Sequence, residues 1–491
     1  MIVNPETALN ETPKHEKMGR RCHFRRSLRG LMIWGAWLTI IFVLTCSYFM
    51  ADKTSKLHRY TLKKIPFRKL SEEAVTRASP KYPLTDPHGP PFAGTQGTKV
   101  ESHPEFYNRY WPVNCSAVFE EDLQEIARVD AMLEKERQKS KKGEIDIASD
   151  ALVANFTQDC EYYRKIRGYP TKVLSKEEEE FPLAFIIVTH KNAAQVELLF
   201  RAIYQPHNVY AFHPDGNSPP EFQRAIRNMA SCFDNVFVCS KLEKVQYAGF
   251  TRLLADINCM HDLVNHSVQW KYVINQCGEA FPLKTNLEMV KMIKAYHGRV
   301  DAESNDQPLK LSRFHKLSSR YTSFKKTEDR LNRYPPPGNI TLHSGNAYNT
   351  LSREFVDYVL TDKEAVQFLS WINMTYSPDE HFMASLRRYH NAPGSYPNVT
   401  LSKDINTSFV KWSWGKASKE CVGKYVRGIC VISTGYLPYV SRVPNLFVNK
   451  IHYSYDPVTI QCMQELLTNR TRNPQLTLQY YKEFPPKRAW Y

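Results

Sequence analysis

The sequence predicts an α/β fold with a mostly parallel central sheet, set behind a single transmembrane helix and a stem. Three observations lead there. From residue 183 onward, apolar β-branched runs alternate with segments of helical periodicity. Near the N-terminus lies one uninterrupted apolar stretch, and the chain between the two regions is polar, basic and rich in proline. The 491 residues, 42% hydrophobic and 24% charged, exclude a chain disordered throughout and suffice to fill a sizeable core.

The apolar stretch is Leu31–Met50, twenty residues without a formal charge. That is long enough to span a bilayer as a helix. Arg20, Arg21, Arg25, Arg26 and Arg29 precede it, so the flank is expected to stay cytosolic and the C-terminus to enter the lumen. A cleaved signal peptide is the alternative, although its apolar region is usually shorter and ends in small residues. The expected plan is a cytosolic tail over 1–30, a signal-anchor over 31–50, a luminal stem over 51–110 and one folded domain over 111–491. Asn-x-Ser/Thr acceptors at Asn114, Asn155, Asn265, Asn339, Asn373, Asn398, Asn406 and Asn469 agree with a luminal domain. Nine of the eleven cysteines lie beyond the span, where disulfides are permitted, and their odd number leaves at least one thiol outside any internal pairing. Luminal placement also removes nucleic acid as the reason for the net charge of +16.

A charged helix is expected over Glu120–Lys142. Leu183–Thr189 (LAFIIVT) is wholly apolar and β-branched, which predicts a buried strand. Gln195–Tyr204 has helical spacing, and Val209–Phe212 is a second strand ending at His213-Pro214-Asp215. Glu221–Ser231 predicts a helix, Val236–Cys239 a third strand, Ala248–Val264 an amphipathic helix and Tyr272–Asn275 a fourth strand. Such alternation with short connections implies parallel pairing, and ligands of parallel sheets bind at the carboxyl ends of the strands. His190, Asp215 and the loop after Cys239 are therefore expected around one crevice.

Neither a GxGxxG nor a Walker-type loop occurs, which removes the ordinary dinucleotide and P-loop readings. No Asp-x-Asp stands at a strand end to clamp a metal diphosphate, and no zinc-type Cys/His spacing is present. Cationic side chains can hold a nucleotide diphosphate without a metal.

Several segments in order resemble the β-1,6-N-acetylglucosaminyltransferases of the core 2 and I-branching type, glycosyltransferase family 14. They are LSKEEEEFPLAFIIVTH (174–190), LFRAIYQPHNVYAFHPD (199–215), QYAGFTRLLADINCM (246–260), WKYVINQCGEAFPLKTNLE (270–288), SGNAY (344–348), TYSPDEHF (375–382), FVKW (409–412) and the Cys421–Cys430 stretch. The likeness runs from about Cys115 to Cys462. It implies a GT-A-type fold and metal-free, inverting transfer of GlcNAc from UDP-GlcNAc in a Golgi type II membrane enzyme. The partners so implied are UDP-GlcNAc and an O-glycan or glycoprotein acceptor.

Inversion in one displacement needs a base beside the acceptor hydroxyl. The resemblance assigns it to the Glu of SPDE, here Glu380. On its own, Ser377-Pro378-Asp379-Glu380 also reads as a capping box at a helix N-terminus, which would favour the carboxylate. Arg427 and Lys450 stand where the family binds the diphosphate, although its NKFD pattern is altered here to Asn449-Lys450-Ile451-His452. Val188, His190, Asp215, Tyr247 and Arg252 match its UDP-binding positions. His190 and Asp215 also suit plain loop hydrogen bonding. Glu303, Lys310 and Arg313 match the acceptor-binding set, with the Glu–Lys spacing one residue shorter. Trp412 matches as well, and Trp414 replaces a Tyr, keeping a flat apolar surface but losing the phenol oxygen. The expected product is the core 2 branch on Galβ1-3GalNAc. The alternatives are I-branching of poly-N-acetyllactosamine, a related xylosyl transfer, or a catalytically silent glycan-binding protein.

One departure changes a disulfide. The family pairs a strand-two Cys with the Cys of its DLNCM helix. Here Ala211 occupies the strand, Cys259 stays in the helix, and Cys239 ends the third strand. Neighbouring strands lie about 4.8 Å apart, so a relocated Cys239–Cys259 bridge is expected if the Cα atoms come within about 7 Å. The competing reading leaves both as small buried thiols. Cys115–Cys462, Cys160–Cys232 and Cys421–Cys430 complete the expected set, with Cys277 free.

Overall fold

The computed structural model describes residues 110–305, 308–309, 335–373, 375–396, 407–413 and 421–474. The expected tail, membrane span and stem lie outside these residues, apart from Tyr110. No helix among the described residues is long and apolar enough to cross a membrane.

The described residues form ten strands: β1 Leu183–Thr189, β2 Val209–Pro214, β3 Val236–Val238, β4 Tyr272–Cys277, β5 Ala280–Pro282, β6 Thr350–Ser352, β7 Ser408–Val410, β8 Lys424–Val426, β9 Ile429–Val431 and β10 Phe447–Asn449. The main sheet has the order β3-β2-β1-β4-β6. All its pairings are parallel except β4 with the edge strand β6. A mixed α/β fold with such a sheet fits a GT-A-like domain. β1 is central because every one of its seven residues is apolar or β-branched and buried. Its side chains alternate between two cores. Phe185 and Ile187 join Tyr210, Phe212 and the helices 193–203 and 220–231 on one face. Ala184, Ile186 and Val188 join Ala211, Leu253 and Phe382 on the other.

A third core gathers Trp111, Val129, Ile432, Leu437 and Cys462, closing the beginning of the domain onto its C-terminal helix Pro457–Arg472. The described residues form two smaller sheets as well, β5-β10-β7 and β8-β9, with β5 following closely on the carboxyl end of β4. The structure forms disulfides Cys115–Cys462, Cys160–Cys232, Cys239–Cys259 and Cys421–Cys430, and leaves Cys277 as a free thiol. Cys239 and Cys259 meet with Cα atoms 5.2 Å apart, because β3, which ends just before Cys239, pairs with β2 and the helix Phe250–Val264 packs on β2 and β1.

Some boundaries differ from expectation. Within the charged segment the helix is shorter, Leu123–Arg137, because Asp122 caps it by accepting the Gln124 and Glu125 amides; a separate helix, Cys115–Phe119, precedes the segment. The helix expected from Ala248 begins at Phe250, since Ala248 sits in the left-handed region at φ 56°.

Candidate active site

The carboxyl ends of β1, β2 and β4 converge as the strand order requires. The Asp215 amide donates to the Thr189 carbonyl at 2.8 Å, and the Gly278 amide to Val188 at 3.1 Å. A side chain at Gly278 would place its Cβ 2.3 Å from Thr189 Oγ1, so only glycine lets β4 turn this close to β1. Asp215 Oδ1 accepts from the Asn217 and Val245 amides at 2.9 and 3.0 Å, fixing the 240s loop above the sheet. His190 is exposed at the rim, and its carbonyl accepts the Ser218 hydroxyl. Desolvation at the crevice wall, with Lys191 and Arg427 close by, keeps its imidazole below the usual range.

The 240s loop joins the remaining parts. Tyr247 is 56% exposed, and the Arg427 guanidinium lies 5.1 Å above its ring. Arg427-Gly428 is the two-residue turn between β8 and β9, and both residues have positive φ, 51° and 79°. That is the geometry of a type I′ hairpin, held at its base by Cys421–Cys430. Trp412 is half-buried and bridges Ile429, while the Ser413 amide donates to Gly428, so the hairpin also positions this Trp.

The next residue, Ala248, accepts the Ser377 amide at 2.9 Å. The SPDE segment is therefore docked on the loop that carries Tyr247. It does not form a capping box. Ser377 is left-handed at φ 47°, not extended as an N-cap must be, and its side chain makes no cap; Pro378–Glu380 is a 3-10 turn before the helix Phe382–Leu386. The expected bias toward the carboxylate is also reversed. Burial, followed by the charges of Asp379 and Glu303, pushes the Glu380 carboxyl up to about 7. Glu303 comes close because Gly345 permits it: the Gly345 amide donates to the Glu380 carbonyl at 2.7 Å, and a Cβ there would fall 1.7 Å from the Glu303 carbonyl oxygen. Burial also raises Glu303, opposed by Asn346 and Arg387.

Arg252 lies in the first turn of the helix Phe250–Val264 and is largely buried. It pairs with Asp256 at 2.6 Å, one helical turn on, and their charges reach Asp379 and Tyr348. Burial opposes its charge, yet the carboxylates of Asp256 and Asp379 outweigh it and hold the guanidinium firmly protonated. Arg252 therefore lies within electrostatic reach of the SPDE turn. Lys450 follows β10 and lies 3.0 Å from Glu279 on the β4–β5 turn. Lys310, Arg313 and Trp414 lie outside the described residues.

Asp256, Asp379 and Glu279 were not anticipated. The i,i+4 spacing of Arg252 and Asp256 on a helix was the available signal for the first. Among the described residues, no group of His, Cys, Asp and Glu is arranged to hold a metal. The crevice thus brings together a carboxyl poised near neutrality, a second carboxyl, a guanidinium on a rigid turn and an exposed aromatic ring. That set can accept a proton at one point and stabilise a leaving anion at another.

Comparison with known proteins gives one consistent result. Residues 183–441 match the family model "Core-2/I-Branching enzyme". A beta-1,3-galactosyl-O-glycosyl-glycoprotein beta-1,6-N-acetylglucosaminyltransferase 4 of Mus musculus is 40% identical over 373 residues, covering 73% of this chain and 80% of its own. The corresponding protein 3 of Homo sapiens is 38% identical over 372 residues, covering 72% and 82%. An N-acetyllactosaminide beta-1,6-N-acetylglucosaminyl-transferase of Homo sapiens is 39% identical over 328 residues, covering 65% and 80%.

Proposed function

The chain belongs to the Core-2/I-branching enzyme family and is a glycosyltransferase, and from that premise we propose that it transfers GlcNAc from UDP-GlcNAc, with inversion and without a metal, to core 1 O-glycans. The bond formed is β-1,6 to the GalNAc of Galβ1-3GalNAc, giving the core 2 branch. The observation that carries this reading is the 240s loop: Tyr247 lies beneath Arg427, and the adjacent Ala248 holds the turn of Glu380.

In this reading Glu380 takes the proton of the acceptor's 6-hydroxyl as its oxygen attacks the anomeric carbon. UDP departs on the opposite side, and its charge is met by Arg427 and Lys450. Val188, His190, Asp215, Tyr247 and Arg252 line the nucleotide, and the Arg252 charge also reaches Asp379 beside the base. Glu303, Lys310, Arg313, Trp412 and Trp414 receive the acceptor, the two indoles against the sugar faces. We further propose residence in the Golgi membrane as a type II protein, with the tail, span, stem and catalytic domain bounded as the sequence indicates.

I-branching of lactosamine chains is the second reading, favoured by the lactosaminide-acting relative at 39% identity. A panel assay of the full-length protein with UDP-GlcNAc and core 1, core 3 and lactosamine acceptors separates them. The core 1 reading requires the fastest transfer to core 1 and a β-1,6 linkage in the product. Exclusive use of lactosamine establishes the second reading, and no transfer to any acceptor returns the protein to glycan binding alone.

A further inference from the structure

The NKFD pattern of the resembling family carries an acid two residues after its Lys, and here His452 holds that place. Lys450 nevertheless has a carboxylate. Glu279 Oε2 lies 3.0 Å from its ammonium, and Oε1 lies 2.9 Å from Lys191 Nζ and 3.2 Å from His452 Nε2. Antiparallel pairing of β5 with β10 sets Ala280 opposite Asn449, and the Ile451 amide donates to the Glu279 carbonyl at 2.8 Å. The backbone therefore delivers this carboxylate to Lys450 from a turn distant in sequence. Lys450 is only 9% exposed, so its ammonium depends on a counter-charge. Burial favours the neutral acid at Glu279, but His452, Lys450 and Lys191 outweigh it and hold the carboxyl well below the ordinary range. It is an anion at any physiological pH.

We propose that Glu279 is the relocated counter-ion of Lys450: a positioning residue that holds the ammonium while the diphosphate site is empty and gives it up when UDP binds. The inference rests on the reading of Lys450 given above. A diphosphate and Glu279 compete for one ammonium, so part of the attraction between Lys450 and UDP is offset by separating the existing pair. Glu279 thereby weakens donor binding and eases release of UDP after transfer.

The test is calorimetric titration of UDP into the full-length, detergent-solubilised protein and its variants. Glu279→Gln should bind UDP about tenfold more tightly, the low end of couplings between close charges at an interface. The gain should disappear when Lys450→Ala is added, because the buried ammonium is then gone and Lys191, the other amine on Glu279, is nearly half exposed and already hydrated. Adding His452→Asp to Glu279→Gln should return affinity toward wild type. Without ligand, Glu279→Gln should melt at a lower temperature and show a larger upward shift with UDP. Glu279→Asp keeps the charge but withdraws it by one methylene, so it should also gain affinity, by a smaller factor, even if Glu279→Gln does not fold. Unchanged or weaker UDP binding in a folded Glu279 variant overturns the proposal, as does a gain that persists in the Lys450→Ala background. Lys450→Ala binding UDP as tightly as wild type would instead remove Lys450 from the diphosphate site, and with it the basis of this inference.

Discussion

A base with its acid constant near 7 leaves a specific mark on the pH dependence. Glu380 accepts a proton only when ionised, and an acid at about 7 is roughly one-tenth ionised at pH 6. The value of kcat/KM, which reports the free enzyme, should therefore fall about tenfold per pH unit below about 7. The cause can be altered one charge at a time. Asp379 is the larger of the two charges raising Glu380. Asp379→Asn should lower the acid limb by roughly one unit, worth about 1.4 kcal/mol. At pH 6 the variant would then retain roughly half of its own plateau activity, where the wild type retains about a tenth. Stability carries the opposite sign. The folded-state acid constant of Glu380, about 7, lies above the ordinary 4.5, so the folded protein binds this proton more tightly. Its contribution is complete below pH 4.5 and is lost as pH rises through about 7. Glu380→Gln, which cannot ionise, should therefore be more stable than wild type at pH 8, by about 1–3 kcal/mol after allowance for partial exposure. Paired pH–rate and pH–melting profiles of the three proteins test both signs. An acid limb near 4.5 in the wild type, or one that moves upward in Asp379→Asn, would refute the reasoning.

Three further outcomes are expected. Transfer should survive excess EDTA, because protein cations meet the diphosphate; complete loss restored by manganese would contradict the roles of Arg427 and Lys450. Arg427→Gly suits the left-handed turn but removes the guanidinium, so the hairpin should persist while the donor KM rises roughly 10- to 100-fold; an unchanged KM would contradict the assignment. The Cys239–Cys259 bridge spans 20 residues, for which chain entropy gives about 3 kcal/mol; the double Cys→Ser variant should lose that much stability, and peptide mapping of the unreduced protein should recover the pair linked.

Much of this architecture was legible from local sequence. β1 announced itself because six apolar residues in a row, closed by the β-branched Thr189, suit a strand buried on both faces. The relocated disulfide was legible because adjacent strands must bring Cys239 toward the helix that carries Cys259. Strands such as β6 and β10 were not anticipated, since three residues carry no periodicity and their pairing is decided by distant partners. The SPDE turn misled for a related reason. Ser377 has the chemistry of a helix cap, but its amide is drawn to the Ala248 carbonyl, and tertiary contact overrides the local preference. Glu279 escaped notice because Lys191, Lys450 and His452 meet it only once β5 and β10 pair. The electrostatic reach of Arg252, paired with Asp256, to Asp379 was not legible either, because it depends on the SPDE turn docking beside the helix.

The central claim is that Glu380 activates the acceptor hydroxyl in a crevice whose cations hold UDP. The most direct test measures initial transfer rates from UDP-GlcNAc to a core 1 acceptor for wild type and Glu380→Gln, with UDP affinity determined on the same preparations. The amide keeps the shape but cannot take the proton, so turnover should drop by roughly 100-fold or more while UDP binds almost unchanged. Near-normal turnover in a folded Glu380→Gln protein would contradict the account.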